Sequence, residues 1–281
     1  VRDTVLTGRV EMRRIDTALH TNPAAAIFGE SQVGKSYLVS NLLTDANNNF
    51  KVKDPGSADV DFISELNPTG GGAESTSLIT RFTVTPSAAP DRSYPIKAKL
   101  FSAADIVLII TDSFYSDINN HEFPSREKLQ EEVNQIMEKY TGMNAQQSYI
   151  TAEDIYEMDS YLKSERFPIV KDWLKTLHAS GYFKCLATVI ANVAPSAWKD
   201  VFGILWNNNQ ILSDIFSRLI RLLRELGFPT TVFINMNSLR NNSGTILSVD
   251  RINEFFGVEF NEKGGQIEKA TVPTMEVWTT D

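Results

Sequence analysis

The eight residues GESQVGKS at positions 29–36 have the composition and spacing of a phosphate-binding loop. Its two glycines, its lysine and its final serine fit the pattern G-x-x-x-x-G-K-[ST], in which backbone N–H groups curl around phosphate oxygens. In such a loop Lys35 reaches the β and γ phosphates of a nucleoside triphosphate, and the Ser36 hydroxyl binds Mg²⁺. The pattern predicts a site for GTP or ATP with Mg²⁺. The alternative is an ordinary glycine turn.

The whole loop is expected to follow the phosphate chain, because its backbone N–H groups contact successive phosphate oxygens. Lys35 is also a predicted catalytic residue, since its charge lies at the γ-phosphate. The predicted nucleotide contacts in and next to the loop are Gly29, Glu30, Ser31, Gln32, Val33, Gly34, Lys35, Ser36 and Tyr37.

Two elements must hold this loop in place. The short apolar run at 24–28 is followed directly by a glycine turn and predicts a buried parallel strand. Residues 36–43 carry apolar side chains at helical spacing and predict a helix, whose N-terminus adds a partial positive charge. The order strand, loop, helix is the context in which this motif binds phosphate.

Residues 67–80 are the best candidate for a switch loop. They contain a glycine run and lead into a predicted strand, as a segment must if it orders on the γ-phosphate and releases after hydrolysis. Thr76 and Thr80 are both candidates for the second hydroxyl on Mg²⁺, with Thr80 also a candidate catalytic residue. Each could instead be an ordinary surface or strand hydroxyl.

The run DIVLIITD, which ends at Asp112, has two interpretations. As a strand it would have the form of a Walker B segment, with Asp112 as a metal-binding carboxylate. As a helix it would begin with a capping box formed by Ser102 and Asp105. The helix is favoured, and in a helix Asp112 is not expected to reach the metal.

Recognition of the base has a weaker signal. A guanine-specific loop after a late strand has the pattern N-K-x-D, and the stretch VFINMNSLR places Asn235 at its first position. Met236 replaces the lysine and Ser238 replaces the aspartate. Asn235 is therefore a candidate base contact within a degraded motif.

The pattern of the whole chain predicts an α/β fold. A P-loop NTPase-like three-layer sheet is expected from residues 1–123 and 228–281, with a large helical insertion at 124–227. The stretches TRFTVTP and YPIKAKLFS predict an antiparallel hairpin at the sheet edge. A strong helix is predicted in ILSDIFSRLIRLLRELG, with these residues inward: Ile211, Ile215, Leu219, Leu222, Leu223 and Leu226.

Composition narrows the partners and the compartment. The net charge of −8 and the pI near 5.1 argue against a nucleic-acid-binding surface. No apolar run approaches the roughly 20 residues of a membrane helix, so no membrane insertion is expected. The single cysteine, Cys185, suits a reducing cytoplasm and is expected to be a buried apolar side chain. The three histidines are too far apart in sequence to predict a metal site.

Four stretches resemble the N-terminal region of the SrfC-like bacterial virulence factors. They are GESQVGKSYLVSNL, DFISELNPTGGGAESTSLITRFTV, KLFSAADIVLIITDSFYSD, and the block from LWNNNQILSDIFSRLIRLLRELGF to SVDRINEF. The resemblance implies a P-loop NTPase-like domain at the front of a longer protein. Homodimerisation or partner proteins, through regions outside 1–281, are also expected.

The chain is more distantly similar to dynamin-like large GTPases. SLITRFTV resembles the segment there in which a threonine before an arginine binds Mg²⁺, which favours Thr80 over Thr76. The D-x-x-G that should follow a Walker B strand is absent, since SFY follows Asp112. The leading hypothesis is Mg²⁺-dependent triphosphate binding with slow hydrolysis, in which the switch loop regulates the larger protein. The alternative is an interaction module that binds without hydrolysis.

Overall fold

The computed structural model describes most of the chain, and helices take up the larger part of what it describes. The described residues are 2–28, 34–44, 50–54, 58–66, 79–84, 89, 92–117, 123–163, 167–234, 236, 259–260, 266–267 and 274–278. The α-helices are α1 Arg2–Leu19, α2 Lys35–Leu43, α3 Ala103–Asp117, α4 Arg126–Tyr140, α5 Ala152–Tyr161, α6 Lys171–Ala179, α7 Tyr182–Val189, α8 Trp198–Phe202 and α9 Gln210–Glu225. The strands are β1 Lys51–Val52, β2 Val60–Asp61, β3 Ile79–Thr83, β4 Ile96–Lys99, β5 Thr231–Ile234, β6 Glu259–Phe260, β7 Gln266–Ile267 and β8 Thr274–Trp278.

The chain divides into two compact units. The helical unit comprises Val1–Pro23 and Ser102–Arg224, and the sheet unit comprises Ala24–Phe101 and Glu225–Asp281. Thus α1 and α3 through α8 belong to the helical unit, whereas α2 belongs to the sheet unit.

The helical unit has a core of apolar side chains from several helices. Helix α4 begins at the Ser125 cap, whose side chain accepts a hydrogen bond from the Lys128 N–H, and it buries Leu129 and Val133. Helices α5 and α7 pack against each other and bury Ile155 and Leu186. The largest fully buried side chains in this unit are Trp198, Trp206, Tyr115, Tyr182, Phe202 and Phe216.

Helix α1 lies against α5 through a small apolar contact and a group of ion pairs. Leu6 and Val10 are buried, at i and i+4 on one face of the helix. The Arg13 guanidinium donates to Asp154, with Nη1 to Oδ1 at 2.9 Å, and also to Glu157. Because these pairs are partly exposed, they add little energy individually, about 0.2–1 kcal/mol each.

The larger sheet of the sheet unit has the strand order β3-β8-β4-β5-β6-β7. Of its described pairs, β3 with β8 is parallel and the others are antiparallel. The parallel register places Thr80 opposite Met275. Strands β1 and β2 form a separate antiparallel pair. The rings of Phe50, Phe62 and Phe82 meet at centroid distances of 4.9–5.2 Å and form an aromatic cluster in this unit.

The predicted P-loop NTPase-like three-layer α/β sheet is wrong. Helices dominate the described residues, the strands are two to five residues long, and most of their pairs are antiparallel. The buried parallel strand predicted at 24–28 is absent. Those residues belong to no helix or strand and are all exposed, with Phe28 at 89% of its full accessibility. An apolar run forms a buried strand only where it pairs with a neighbouring strand and is covered by other side chains.

The predicted hairpin of two neighbouring strands is also wrong, although both strands exist. Strand β8 pairs with β3 on one side and with β4 on the other, so β3 and β4 are separated by a strand from the end of the chain. The two strands are close in sequence, which suggested that they pair with each other. Each of them pairs with the distant strand β8 instead.

Helix α9 is confirmed, and its predicted inward face is partly correct. Leu223 and Leu226 are buried as predicted and Leu219 and Leu222 are half-buried, whereas Ile211 is 71% exposed and Ile215 is 37% exposed. Phe216 and Ile220, which were not predicted inward, are buried. Both apolar sets fit helical spacing, so periodicity alone could not choose between them. The rings of Phe202 and Trp206 contact Phe216 and select the face that is buried.

Candidate functional site

The predicted phosphate loop ends in a left-handed glycine at the start of a helix. Gly34 adopts the left-handed conformation, with φ of 87° and ψ of 19°, and stands at the N-cap of α2. A side chain is rarely tolerated at this φ, whereas glycine adopts it without strain. The Gly34 carbonyl accepts the first helical hydrogen bond from the Leu38 N–H at 2.9 Å. Helix α2 therefore begins with Lys35 and Ser36 in its first turn.

This helix start is suited to an anion. The N–H groups of the first turn of an α-helix point away from the helix body, and the helix dipole places a partial positive charge there. No side chain caps α2, since the N-cap residue is a glycine. Lys35 adds a full positive charge in the same turn, and Lys35 and Ser36 are both half-buried. The arrangement combines backbone donors, a cation and a hydroxyl.

Helix α2 contributes no side chain to a core. None of its residues is buried, and Tyr37, Leu38, Leu42 and Leu43 are all exposed. The predicted contact residue Tyr37 is 69% exposed, and its carbonyl accepts a hydrogen bond from the Asn41 side chain. Helix α2 is therefore a surface helix that follows the predicted loop in sequence.

Thr80 lies in the same compact unit as the loop. It is the second residue of β3 and is half-buried. The remaining members of the predicted site are outside the described part of the chain: Gly29, Glu30, Ser31, Gln32, Val33, Thr76, residues 67–78 of the switch candidate, and Asn235.

The run that ends at Asp112 is helical, so its Walker B interpretation is wrong and the helix interpretation is confirmed. Ser102 and Asp105 form the predicted capping box at the start of α3, with Ser102 N–H to Asp105 Oδ2 at 2.8 Å and Asp105 N–H to Ser102 Oγ at 3.1 Å. The Asp112 carboxylate accepts hydrogen bonds from the Tyr161 hydroxyl and from Ser116 Oγ, the latter at 3.2 Å. Asp112 belongs to the helical unit, whereas Lys35, Ser36 and Thr80 belong to the sheet unit.

A pair that sequence reasoning missed joins α5 and α6. His178 Nδ1 lies 2.7 Å from Asp159 Oδ1, and Lys163 Nζ lies 3.4 Å from Asp159 Oδ2. Burial by itself raises the pKa of Asp159, but the hydrogen bond from His178 and the charge of Lys163 outweigh it and lower that pKa. His178 Nε2 is buried without a described hydrogen-bond partner. Residues 159 and 178 are far apart in sequence, which hid the pair from motif analysis.

Asp159→Asn is expected to lower the free energy of unfolding by about 1 kcal/mol at pH 7. A pKa that is lower in the folded state means that folding favours the ionised carboxylate. That stabilisation is present above the unfolded pKa, near 4, and is lost as pH falls through the lower folded pKa. Urea unfolding of both proteins at pH 7, 5, 4 and 3 measures it. The control is Asp172→Asn, because Asp172 is 95% exposed. A difference that is constant with pH would contradict the assignment.

Other features of the described residues bear on the predictions. Cys185 is confirmed as a buried side chain, and burial raises the pKa of its thiol to about 11. The described residues contain no group of three or more His, Cys, Asp or Glu placed to hold a metal ion. None of the helices described is both long enough and apolar enough to cross a membrane.

Comparison with known proteins gives one match. A family model with the description "Putative bacterial virulence factor" matches residues 3–268. No curated protein and no solved structure matches the chain. Because the family model covers nearly the whole sequence, the chain belongs to this family of bacterial virulence factors.

Proposed function

We propose that this chain binds a nucleoside triphosphate, GTP or ATP, together with Mg²⁺ through residues 29–37. The observation that carries the proposal is the left-handed Gly34 at the N-cap of α2, with Lys35 and Ser36 in the first turn. A helix start with a lysine and a serine in its first turn supports the proposal, because first-turn N–H groups and a cation favour bound phosphate. The proposed donors belong to the loop and the helix start, so the proposal does not require the three-layer sheet.

Each residue has a distinct role in the proposal. The Lys35 ammonium neutralises charge on the β and γ phosphates, and the first-turn N–H groups of α2 donate to phosphate oxygens. Ser36 and Thr80 supply hydroxyl oxygens, the hard ligands that Mg²⁺ prefers. When bound, Mg²⁺ would neutralise charge on the phosphate oxygens. Asn235 is proposed as a contact to the base.

Turnover is proposed to be slow, with Lys35 and Thr80 at the γ-phosphate and residues 67–80 as the segment that responds to it. A second candidate function is a binding module without hydrolysis. It is favoured by Asp112, which lies in α3 and is hydrogen-bonded by Tyr161 and Ser116. Phosphate release above background that disappears in Ser36→Ala would count against this second candidate.

Calorimetric titration of the 281-residue chain with GTP and with ATP tests the proposal, each with Mg²⁺ and with a chelator. Saturable binding of at least one nucleotide that is stronger with Mg²⁺ supports it. Absence of binding for both nucleotides, in protein whose circular dichroism spectrum shows a folded helical chain, contradicts it.

Ser36→Ala is expected to weaken nucleotide affinity about tenfold in the presence of Mg²⁺ and to leave it nearly unchanged with a chelator. The reason is that this hydroxyl binds the metal, and a lost interaction with a charged group costs about 1.5–3 kcal/mol. Ser40→Ala is the matched control, since Ser40 is a half-buried serine in the same helix. Equal losses with and without Mg²⁺ would contradict the metal-binding role.

A cytoplasmic location is part of the proposal. Its support is the single cysteine, which is buried in the helical unit and has no disulfide. Reducing compartments keep thiols in this state.

A further inference from the structure

A hollow of about 140 Å³ opens on the helical unit, between the start of α8 and the C-terminal half of α9. None of its lining residues belongs to the proposed nucleotide site. Lys199 lines one side, and Arg221 and Arg224 line the other. Three positively charged side chains from two elements therefore surround one small space.

The floor of the hollow is apolar and well supported. Phe216 and Ile220 line it and are 1% and 4% exposed. Ring centroids of Trp206 and Phe202 lie 5.3 Å and 6.3 Å from that of Phe216. These rings belong to the core, so the apolar floor of the hollow is supported by packed side chains.

The cations around the hollow are exposed and have no described acidic partner. Lys199, Arg221 and Arg224 form no ion pair with a carboxylate within 4 Å among the described residues. The chain as a whole is acidic, with a net charge of −8. The hollow therefore brings three positive charges together in a chain that is acidic as a whole.

Helix electrostatics accounts for only part of this cluster. Cations near a helix C-terminus are favourable by about 0.3–1 kcal/mol, which is reason enough for Arg224 in the last turn of α9. It gives no reason for Lys199, which comes from a different element and faces the same space. The C-terminal carbonyls of α9 would repel an anion with roughly half a charge, and three full positive charges outweigh that.

We propose that this hollow binds a phosphomonoester group. Its volume is well below the roughly 300 Å³ at which pockets for whole small-molecule ligands begin, so it accepts a charged group rather than a nucleotide. A phosphomonoester carries about −1.5 to −2 charges at pH 7, which three cations neutralise. Arginine forks bind phosphate oxygens in pairs, and the Ser196 hydroxyl on the rim is a further donor.

The Ser217 hydroxyl is not counted among the donors. It lines the hollow but donates to the Ser213 carbonyl at 2.7 Å, so its hydrogen is already engaged. The ligand is thus held by charge and by the guanidinium N–H groups. Two sources share this chemistry: free phosphate compounds and the headgroup of phosphatidic acid.

The test uses the full chain carrying Lys35→Ala, so that the proposed nucleotide loop does not contribute. Inorganic phosphate is titrated by calorimetry, and cosedimentation is measured with phosphatidylcholine vesicles that contain phosphatidic acid. In this background Arg221→Gln and Lys199→Gln are each expected to weaken binding about tenfold. Arg218→Gln is the matched control, because Arg218 is exposed on the same helix but does not line the hollow; a change below about twofold is expected.

Binding of inorganic phosphate that requires Lys199 and Arg221 supports the proposal with a soluble ligand, and vesicle binding with the same requirement supports it with a lipid headgroup. The proposal is overturned if neither probe binds, or if Arg218→Gln weakens binding as much as Arg221→Gln does. A failed titration with GTP and ATP leaves this result unaffected, since the hollow is tested without the loop lysine. Circular dichroism of each variant checks that the helices are intact.

Discussion

A Lys35→Ala protein is expected to bind Mg²⁺–nucleoside triphosphate at least about 100-fold more weakly than the parent chain. The ammonium is proposed to contact both the β and γ phosphates, and each hydrogen bond to a charged group is worth about 1.5–3 kcal/mol. Losing two such contacts corresponds to a factor of about 100 or more in the dissociation constant. The fold is expected to survive, because α2 buries none of its residues. Calorimetry with the better of GTP and ATP measures the loss.

Lys53→Ala is the matched control for this experiment. Lys53 is an exposed lysine of the same sheet unit, outside the loop, and its removal makes the same change in net charge. Its affinity for nucleotide is expected to remain within about twofold of the parent value. Equal weakening by both substitutions would mean that binding follows net charge rather than the loop.

The second large effect is expected from Trp206→Ala, which should lower the free energy of unfolding by about 3–5 kcal/mol. Trp206 is fully buried, its ring contacts Phe216, and its Nε1 donates to Ser213 Oγ at 2.9 Å. Truncation to alanine removes a large apolar surface and leaves a cavity next to the buried face of α9. Urea unfolding followed by far-ultraviolet circular dichroism measures the change.

Two further substitutions separate packing from general tolerance. Trp206→Phe keeps most of the buried ring and should cost clearly less than alanine. Ile169→Ala changes a side chain that is 75% exposed and should stay within about 0.5 kcal/mol of the parent. Similar losses for Ile169→Ala and Trp206→Ala would show that the core around Phe216 is not the main support of the helical unit.

Local signals in the sequence predicted local structure well. Ser102 and Asp105 form the hydrogen bonds that their three-residue spacing predicts. Thr151 and Asp154 have the same spacing and form the same pair of bonds at the start of α5. Such bonds connect near neighbours in the chain, so the sequence contains all the information they need. The left-handed Gly34 and the start of α2 are likewise local features that depend on neighbouring residues.

Burial and long-range pairing could not be predicted in the same way. The apolar run at 24–28 predicted a buried strand, yet no strand pairs with it and Phe28 is exposed. On α9, two apolar faces fit the helical period, and only the rings of Phe202 and Trp206 decide which is buried. The spacing of apolar residues predicts which helix faces are able to pack. Which face is buried depends on side chains from other parts of the chain, and the spacing does not predict these.

The candidate functional residues show the same difference between features that are local in sequence and features that depend on tertiary packing. The loop motif with Lys35 and Ser36 is contiguous and could be found directly. The hydrogen-bonded pair of Asp159 and His178 and the hollow between Lys199 and Arg221 join residues of different elements, which only tertiary packing brings together. The run that ends at Asp112 could be a strand or a helix from sequence alone. The capping box of Ser102 and Asp105 starts helix α3 and excludes the strand.

The exposed helix behind the loop has a thermodynamic consequence. A nine-residue helix that buries no side chain has almost no stability of its own, since isolated helices below about 12–15 residues are marginal in water. An anion held at its N-terminus would therefore supply the free energy that keeps it wound. Part of the intrinsic binding energy would be spent on this ordering, so the measured affinity would be lower than the contacts alone imply. Helix formation in α2 and occupancy of the loop would then rise and fall as one equilibrium.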